Sequence, residues 1–325
     1  MRYRKLPNTD LEVSEICLGT MTFGDRIGAA EAAESVAVAV DHGVNFLDTA
    51  DIYPPGSSGE SERLLGEAVR PYRDRVLLAT KVAGAFDADP ANRGLSRRHI
   101  LDAVEGSLRR LQTDHIDLYY AHFPDPSVSR LELMEAMNEL IRAGKIRYYG
   151  VSNHPSWMLC EMVLTARERG LEPPVVTQSG YNLLTRGIEN ELLPFCRDYD
   201  MGVVAFNPLA GGMLTGKYQT GLSPEGSRFS LQKGYHDRYY SDRNREAVAQ
   251  LQEIASELGI GLIELSYRWL LTRPGVHSLL MGFSGRAQLE DNLRFAAMEK
   301  DIPLPEDRLD AIWKNLTGNR FNYHY

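Results

Sequence analysis

Cysteine is scarce in this 325-residue chain: there are three, Cys17, Cys160 and Cys196, far apart in sequence. Neither a disulfide framework nor a zinc cluster can be built from that spacing, and a reducing, cytoplasmic setting is expected. Long apolar runs are missing too. No stretch approaches the roughly 20 residues needed to span a bilayer, and no apolar signal segment follows the opening MRYRKLPNTD, so a soluble protein with no membrane contact is expected. Basic charge is in short supply: 36 Lys and Arg against 44 Asp and Glu leave a net charge of −8. A nucleic-acid backbone is repelled on average, which leaves room only for a local basic pocket that takes one small anion.

Several motifs are absent as well. The eight histidines include no H-x-H or H-E-x-x-H spacing, which argues against a metal-dependent hydrolase. No G-x-G-x-x-G follows a strand-like run, which argues against a Rossmann domain. Gly211 to Tyr218 reads G-x-x-x-x-G-K-Y and stops one residue short of a phosphate-binding loop, because Tyr cannot replace the Mg²⁺-binding Ser or Thr.

What is present is an ordinary globular composition, 43% hydrophobic and 25% charged, arranged as short apolar runs alternating with amphipathic stretches. Strand-like runs cover Glu15 to Thr20, Asn45 to Asp48, Val76 to Val82, Ile116 to His122, Ile146 to Ser152, Val175 to Gln178, Gly202 to Phe206 and Ser278 to Gly282. Between them, Val104, Leu108 and Leu111, and then Leu133, Met137, Leu140 and Ile141, recur at helical spacing. Ser129 and Glu132 form a capping box, and Gly43, Gly144, Gly170 and Gly259 punctuate helix ends. Eight strands with helical returns and no Gly/Ser-rich linker predict an α/β fold in which residues 1–325 form one domain, a (β/α)8 TIM barrel. An open doubly wound sheet is the alternative. Tyr3 to Lys5 and Leu11 to Val13 flank Pro7-Asn8-Thr9-Asp10, a β-hairpin expected to close the barrel bottom. Two long segments, Lys217 to about Tyr240 and the tail Asp301 to Tyr325, are rich in aromatics and are expected over the active-site face.

In such barrels the chemistry sits at the C-terminal strand ends. Those ends carry Thr20, Asp48, Lys81, His122, Ser152-Asn153, Gln178 and Phe206-Asn207. One polar residue after a strand is usually a cap, but recurrence in register from strand to strand weakens that reading. Asp48, Tyr53, Lys81 and His122 form a set with a chemical logic. A phenol with a free pKa of about 10 donates a proton at neutral pH only if its phenolate is stabilised. An ammonium at about 4 Å, in an effective dielectric near 20, supplies roughly 4 kcal/mol before desolvation opposes it. Asp48 would keep Lys81 protonated and His122 would orient a substrate oxygen. The alternative is a buried Asp-Lys ion pair beside a packing Tyr.

Taken with Leu18-Gly19-Thr20-Met21, Asn45 through Tyr53, Gly59-Glu60-Ser61-Glu62, Tyr120-Ala121-His122, Gly150-Val151-Ser152-Asn153, Tyr181-Asn182-Leu183 and Asn207-Pro208-Leu209, the chain resembles the aldo-keto reductase superfamily over nearly its whole length. The resemblance implies NADPH-dependent reduction of aldehydes and ketones by the tetrad Asp48, Tyr53, Lys81 and His122, with Tyr53 as general acid. It implies Ser152, Asn153 and Gln178 on the nicotinamide carboxamide, with Phe206 stacked on the ring. Asn207, Pro208, Leu209, Gly212, Lys217 and Arg228 fall to the pyrophosphate, and Gly282, Ser284, Arg286, Gln288, Asp291 and Asn292 to the adenosine end. Thr20, Met21 and Asp48 also face the cofactor. The substrate pocket would be built from Phe23, Tyr53, Phe86, His122 and Phe123.

The chain departs from the pattern at three places. Pro54 through Gly59 is longer than the usual glycine turn, and Asn207 stands where many relatives carry Ser. Gly285 occupies the place of an Arg, with Arg286 one position on, so NADPH is expected ahead of NADH. Part of the pattern is shared with β-subunits of voltage-gated potassium channels, so a cofactor-binding regulatory subunit is a rival reading, although no long extension precedes the barrel. An NAD-dependent sugar or polyol dehydrogenase is another. A small-molecule carbonyl substrate is expected, and a homo-oligomer is compatible with the sequence.

Overall fold

A computed structural model describes residues 1–219, 228–231, 233–297 and 302–318. A hairpin comes first, β1 (Tyr3–Lys5) pairing antiparallel with β2 (Glu12–Ser14). Eight parallel strands follow: β3 (Ile16–Gly19), β4 (Phe46–Asp48), β5 (Leu77–Val82), β6 (Ile116–Ala121), β7 (Ile146–Ser152), β8 (Val176–Gly180), β9 (Gly202–Phe206) and β10 (Val276–Met281). They close in sequence order, β10 pairing with both β9 and β3. The helices are α1 (Ala29–Asp41), α2 (Glu60–Val69), α3 (Arg97–Leu111), α4 (Arg130–Arg142), α5 (Ser156–Arg169), α6 (Leu192–Asp198), α7 (Arg228–Leu231), α8 (Lys233–Tyr239), α9 (Asp242–Glu257), α10 (Leu262–Leu271), α11 (Arg286–Ala297) and α12 (Glu306–Thr317). The fold is the (β/α)8 barrel with an N-terminal hairpin.

Local chemistry sets the element ends. Ser129 Oγ accepts from the Glu132 amide at 3.1 Å, which starts α4 and satisfies one of the donors that a helix start leaves without a partner. Gly170, at φ +67°, ends α5 in the left-handed conformation, which costs glycine little.

Side chains alternate along each strand and divide the apolar residues into two cores. Outward residues such as Leu18, Leu47, Leu78, Tyr119 and Val203 join the helices in a large shell. Inward residues Cys17, Phe46, Ala79, Leu118, Val176 and Val204 fill the barrel, and Leu6, Leu11 and Val13 of the hairpin region close its lower end. Burying each large apolar side chain contributes about 1.5–3 kcal/mol, so the hairpin is anchored by its plug residues rather than by its three-residue strands. Above that plug the inward positions become polar.

The described part of the tail forms α12, which packs along α9 and pairs Arg308 with Glu257. Residues 319–325, with Arg320 to Tyr325, lie outside the described residues, as do 220–227 of the other long segment. Among the described residues no helix is long and apolar enough to cross a membrane.

Candidate active site

Two strand steps above the apolar plug, the alternation that turns Phe46 and Ala79 inward also turns Asp48 and Lys81 inward, on neighbouring strands. The Lys81 ammonium contacts Asp48 Oδ1 and donates to the Thr49 carbonyl at 2.7 Å. From the far side of the barrel, Gln178 Nε2 donates to Asp48 Oδ2 at 2.9 Å. Both charges are buried, with Asp48 and Lys81 each 1% exposed. Burial pushes the Asp48 carboxyl up from its ordinary value, while the Lys81 charge and the Lys81 and Gln178 hydrogen bonds draw it back.

Tyr53 stands above this pair. Its hydroxyl lies 3.5 Å from His122 Nε2, and the Lys81 ammonium is 5.3 Å from the centre of its ring. His122 is buried, and desolvation followed by the Lys81 charge holds its imidazole well below its ordinary pKa. The ring is therefore neutral at pH 7, with one nitrogen donating and the other accepting. Phe123 stacks on it at 4.2 Å between centroids and is itself 42% exposed at the mouth of the site. Asn153 Nδ2 donates to the His122 carbonyl at 3.0 Å and to Ser152 Oγ at 3.0 Å. Ser152 Oγ donates to the Gln178 carbonyl at 2.9 Å.

The Tyr53 turn is fastened from behind. The Ser61 amide, in the first turn of α2, donates to the Tyr53 carbonyl at 3.0 Å. Ser61 Oγ donates to the Thr20 carbonyl at 2.7 Å and lies 3.0 and 2.9 Å from the hydroxyls of Thr20 and Thr49. Thr20 therefore braces α2 and does not line the cleft.

The site opens into a cleft of about 440 Å³. Met21, Asp48, Tyr53, His122 and Phe123 line it at the barrel mouth. Ser152, Asn153, Gln178, Phe206, Asn207 and Pro208 continue the wall, followed by Leu209, Gly212 and Lys217. Gly282, Ser284 and Gln288 bring it to the start of α11, where Ser284 Oγ and its amide both donate to Gln288 Oε1.

Other expected residues lie elsewhere. Phe23 is fully buried, edge-on to Phe283 at 6.1 Å, and it is Phe283 that lines the cleft. Phe86 is outside the cleft beneath the Arg110 guanidinium at 4.7 Å. Arg286 does not line the cleft and is turned to Glu290 at 2.8 Å and Glu34 at 3.1 Å. Asp291 is exposed and pairs with Arg294, whereas Asn292 is buried with no hydrogen-bond partner for Nδ2. The Arg228 side chain lies outside the described residues.

Sequence reasoning missed Gly19, Thr22, Arg26, Arg238, Tyr267 and Leu280 in the lining. Gly19 and Leu280 were within reach of strand alternation, since a Cβ on Gly19 would meet Leu280 Cδ2 at 2.6 Å. Arg26 comes from the loop before α1, and Arg238 from α8, which is too short for its spacing to indicate a direction. Among the described residues, apart from the imidazole, the charged groups lining the cleft are Arg26, Lys217 and Arg238 and one carboxylate, Asp48, which is matched by Lys81. The arrangement suits an elongated, multiply anionic ligand with one end at the tetrad. Among the described residues no group of three or more His, Cys, Asp or Glu could hold a metal ion.

Comparison with known proteins agrees with this geometry. Residues 15–313 match the model of the Aldo/keto reductase family. A protein of Oryza sativa subsp. japonica named "Probable voltage-gated potassium channel subunit beta" is 35% identical over 323 residues, which cover 96% of each chain. "Protein tas" of Escherichia coli (strain K12) is 33% identical over 339 aligned positions, again covering 96% of each.

Proposed function

Starting from the membership of this chain in the aldo/keto reductase family of oxidoreductases, we propose that it reduces aldehydes and ketones to alcohols with NADPH, which it prefers to NADH. The observation that carries this reading is the meeting of Tyr53, Lys81, Asp48 and His122 at the closed end of a cleft whose other lining charges, among the described residues, are cations.

A bound nicotinamide dinucleotide would supply the hydride. Ser152, Asn153 and Gln178 would hold its carboxamide, Phe206 its ring, the segment from Asn207 to Lys217 its pyrophosphate, and the start of α11 with Arg286 its adenosine phosphate. Tyr53 stands within reach of a carbonyl oxygen seated beside His122 and donates its phenolic proton as charge develops there. Lys81 stabilises the phenolate left behind, and Asp48, in contact with the Lys81 ammonium, keeps it aimed. Neutral His122 offers the oxygen a hydrogen bond without competing as an acid. In the reverse direction the Tyr53 phenolate accepts the proton. Phe123, stacked and half-exposed, is the wall that meets the substrate's apolar part.

A second reading, a cofactor-binding regulatory subunit, is favoured by the name of the rice relative. Turnover discriminates between the two: NADPH consumption with a panel of aromatic, aliphatic and sugar aldehydes supports the reductase. Tight NADPH binding without turnover on any of them supports the regulatory reading.

A further inference from the structure

Behind the tetrad, between the barrel wall and α2, lies a second group of ionisable side chains that the proposed chemistry does not use. Past the end of β4, Thr49 Oγ1 lies 2.9 Å from Ser61 Oγ in the first turn of α2, and the Asp51 carboxyl, in the turn that follows, lies close enough to Glu62 and Arg110 to feel both charges. Asp51 is 1% exposed, and no side chain hydrogen-bonds either of its carboxyl oxygens. Glu62 on α2 is fully buried, but both its oxygens are taken: Thr80 Oγ1 donates to Oε1 at 2.6 Å and Arg110 Nε to Oε2 at 2.7 Å. Tyr119, paired with Thr80 across β5 and β6, brings a buried hydroxyl with no partner to the same layer. The chamber thus holds two carboxyl groups and one guanidinium, which is already engaged by Glu62.

A second carboxylate charge there would be buried, without a side-chain partner and next to a like charge, a combination that proteins avoid by keeping one proton on the pair. The groups facing Asp51 are Glu62 from α2, Lys81 from β5, Tyr119 from β6 and Arg110 from α3. Burial and then Glu62 push its carboxyl well above the usual carboxylate range, against the smaller opposing pull of the Arg110 charge, the Ile52 amide and the Lys81 charge.

The same chamber lies at the joint that sets the active-site geometry. The Asp51 amide donates to the Lys81 carbonyl at 3.1 Å, and the Ser61 amide, one residue before Glu62, donates to the Tyr53 carbonyl at 3.0 Å. Repulsion between Asp51 and Glu62 would therefore act across the seam between the strand end bearing Lys81 and the helix start that holds Tyr53. We propose that Asp51 is a positioning residue: carrying a proton, it shares a single negative charge with Glu62 and so seats the Tyr53 turn against Lys81. The catalytic consequence rests on the reductase reading; the proton on Asp51 does not.

The test compares the whole protein with Asp51→Asn and Asp51→Leu. Infrared spectra of protein labelled with ¹³C at the aspartate carboxyls should show a protonated-carboxyl band at pH 7 that is missing in Asp51→Asn. Asp51→Asn, which resembles the neutral acid, should keep kcat within about threefold and move the alkaline fall of kcat to higher pH, whereas Asp51→Leu should lower kcat about tenfold or more with KM and NADPH affinity within about twofold. Absence of the band overturns the proposal. So does equal loss of kcat in Asn and Leu, or full activity in Leu. Should Asp51→Leu fail to fold, the band and the Asn pH profile still decide. A wild-type protein that turns over no carbonyl compound would sink the reductase reading, and the band alone would then decide whether Asp51 carries a proton.

Discussion

Asn153 reaches back from the end of β7 to hydrogen-bond the His122 carbonyl at 3.0 Å, from a backbone held at φ +61°. The left-handed conformation explains why this residue type stands here: Asn tolerates it better than other residues with a Cβ. Asn207, after β9, follows the same rule at φ +54°, which gives a physical reason for Asn at that strand end. Asn153→Ala should lose both the hydrogen bond and the tolerated backbone, at about 1–3 kcal/mol. Asn153→Gly should recover most of that stability and still lose turnover, because the side-chain bonds to the His122 carbonyl and to Ser152 Oγ are missing while the backbone conformation is kept. Urea denaturation beside steady-state kinetics separates the two; equal stability of the Ala and Gly variants would contradict the backbone argument.

Arg286 reports on cofactor choice. It now pairs with Glu34 and Glu290 at the surface, and a 2′-phosphate at the start of α11 would compete for it. A guanidinium that takes this phosphate adds a charge-assisted hydrogen bond that NADH cannot make, so Arg286→Ala should weaken NADPH binding about tenfold or more and leave NADH unchanged. Fluorescence titration with both dinucleotides measures this. Equal weakening of both would remove Arg286 from the phosphate site.

The neutral His122 gives a pH dependence with a definite sign. Its folded pKa lies below the ordinary 6.5, so below about pH 6.5 the unfolded chain binds a proton that the fold refuses, and stability falls as pH falls, by up to about 1.4 kcal/mol per pH unit. His99, His154 and His277 are shifted the same way by burial and remain in a His122→Gln variant. Between pH 7 and 5.5 the wild type should therefore lose more stability than His122→Gln. Identical losses would mean that His122 is not held neutral.

Gly66 tests how closely α2 packs on α3. A Cβ there would lie 2.6 Å from the carbonyl oxygens of Arg110 and Leu111, and backbone cannot rotate out of the way. Ala is the better helix former by about 1 kcal/mol, yet Gly66→Ala should destabilise by about 1–3 kcal/mol through overpacking. A raised thermal midpoint would show that the helices separate easily.

The barrel was legible because inward and outward alternation, turn residues and helical stripes agree along the chain, and because most inward strand ends are polar. Register then brings Asp48, Lys81, Ser152 and Gln178 together without further information. Phe23 and Phe86 show where that legibility stops. Both lie on loops, and the same aromatic character that suits a pocket wall also suits burial against Phe283 or a place beneath Arg110. Arg26 and Arg238 were missed for the complementary reason: a surface arginine and a cleft arginine look alike until the path of the loop or short helix that carries them is known. Asp51 and Glu62 both sit inside the quoted motifs without a role assigned, because the significance of Asp51 depends on Glu62 and Arg110 arriving from two different helices.

The most direct test of the account follows NADPH oxidation with an aldehyde panel, wild type beside Tyr53→Phe, with cofactor affinity measured on both. The phenolic proton transfer contributes roughly 10²- to 10⁴-fold, so the variant should bind NADPH as the wild type does and lose turnover by that order. A Tyr53→Phe protein that reduces the same aldehydes at near wild-type rate would contradict the assignment of Tyr53, and with it the role given to Lys81 and Asp48.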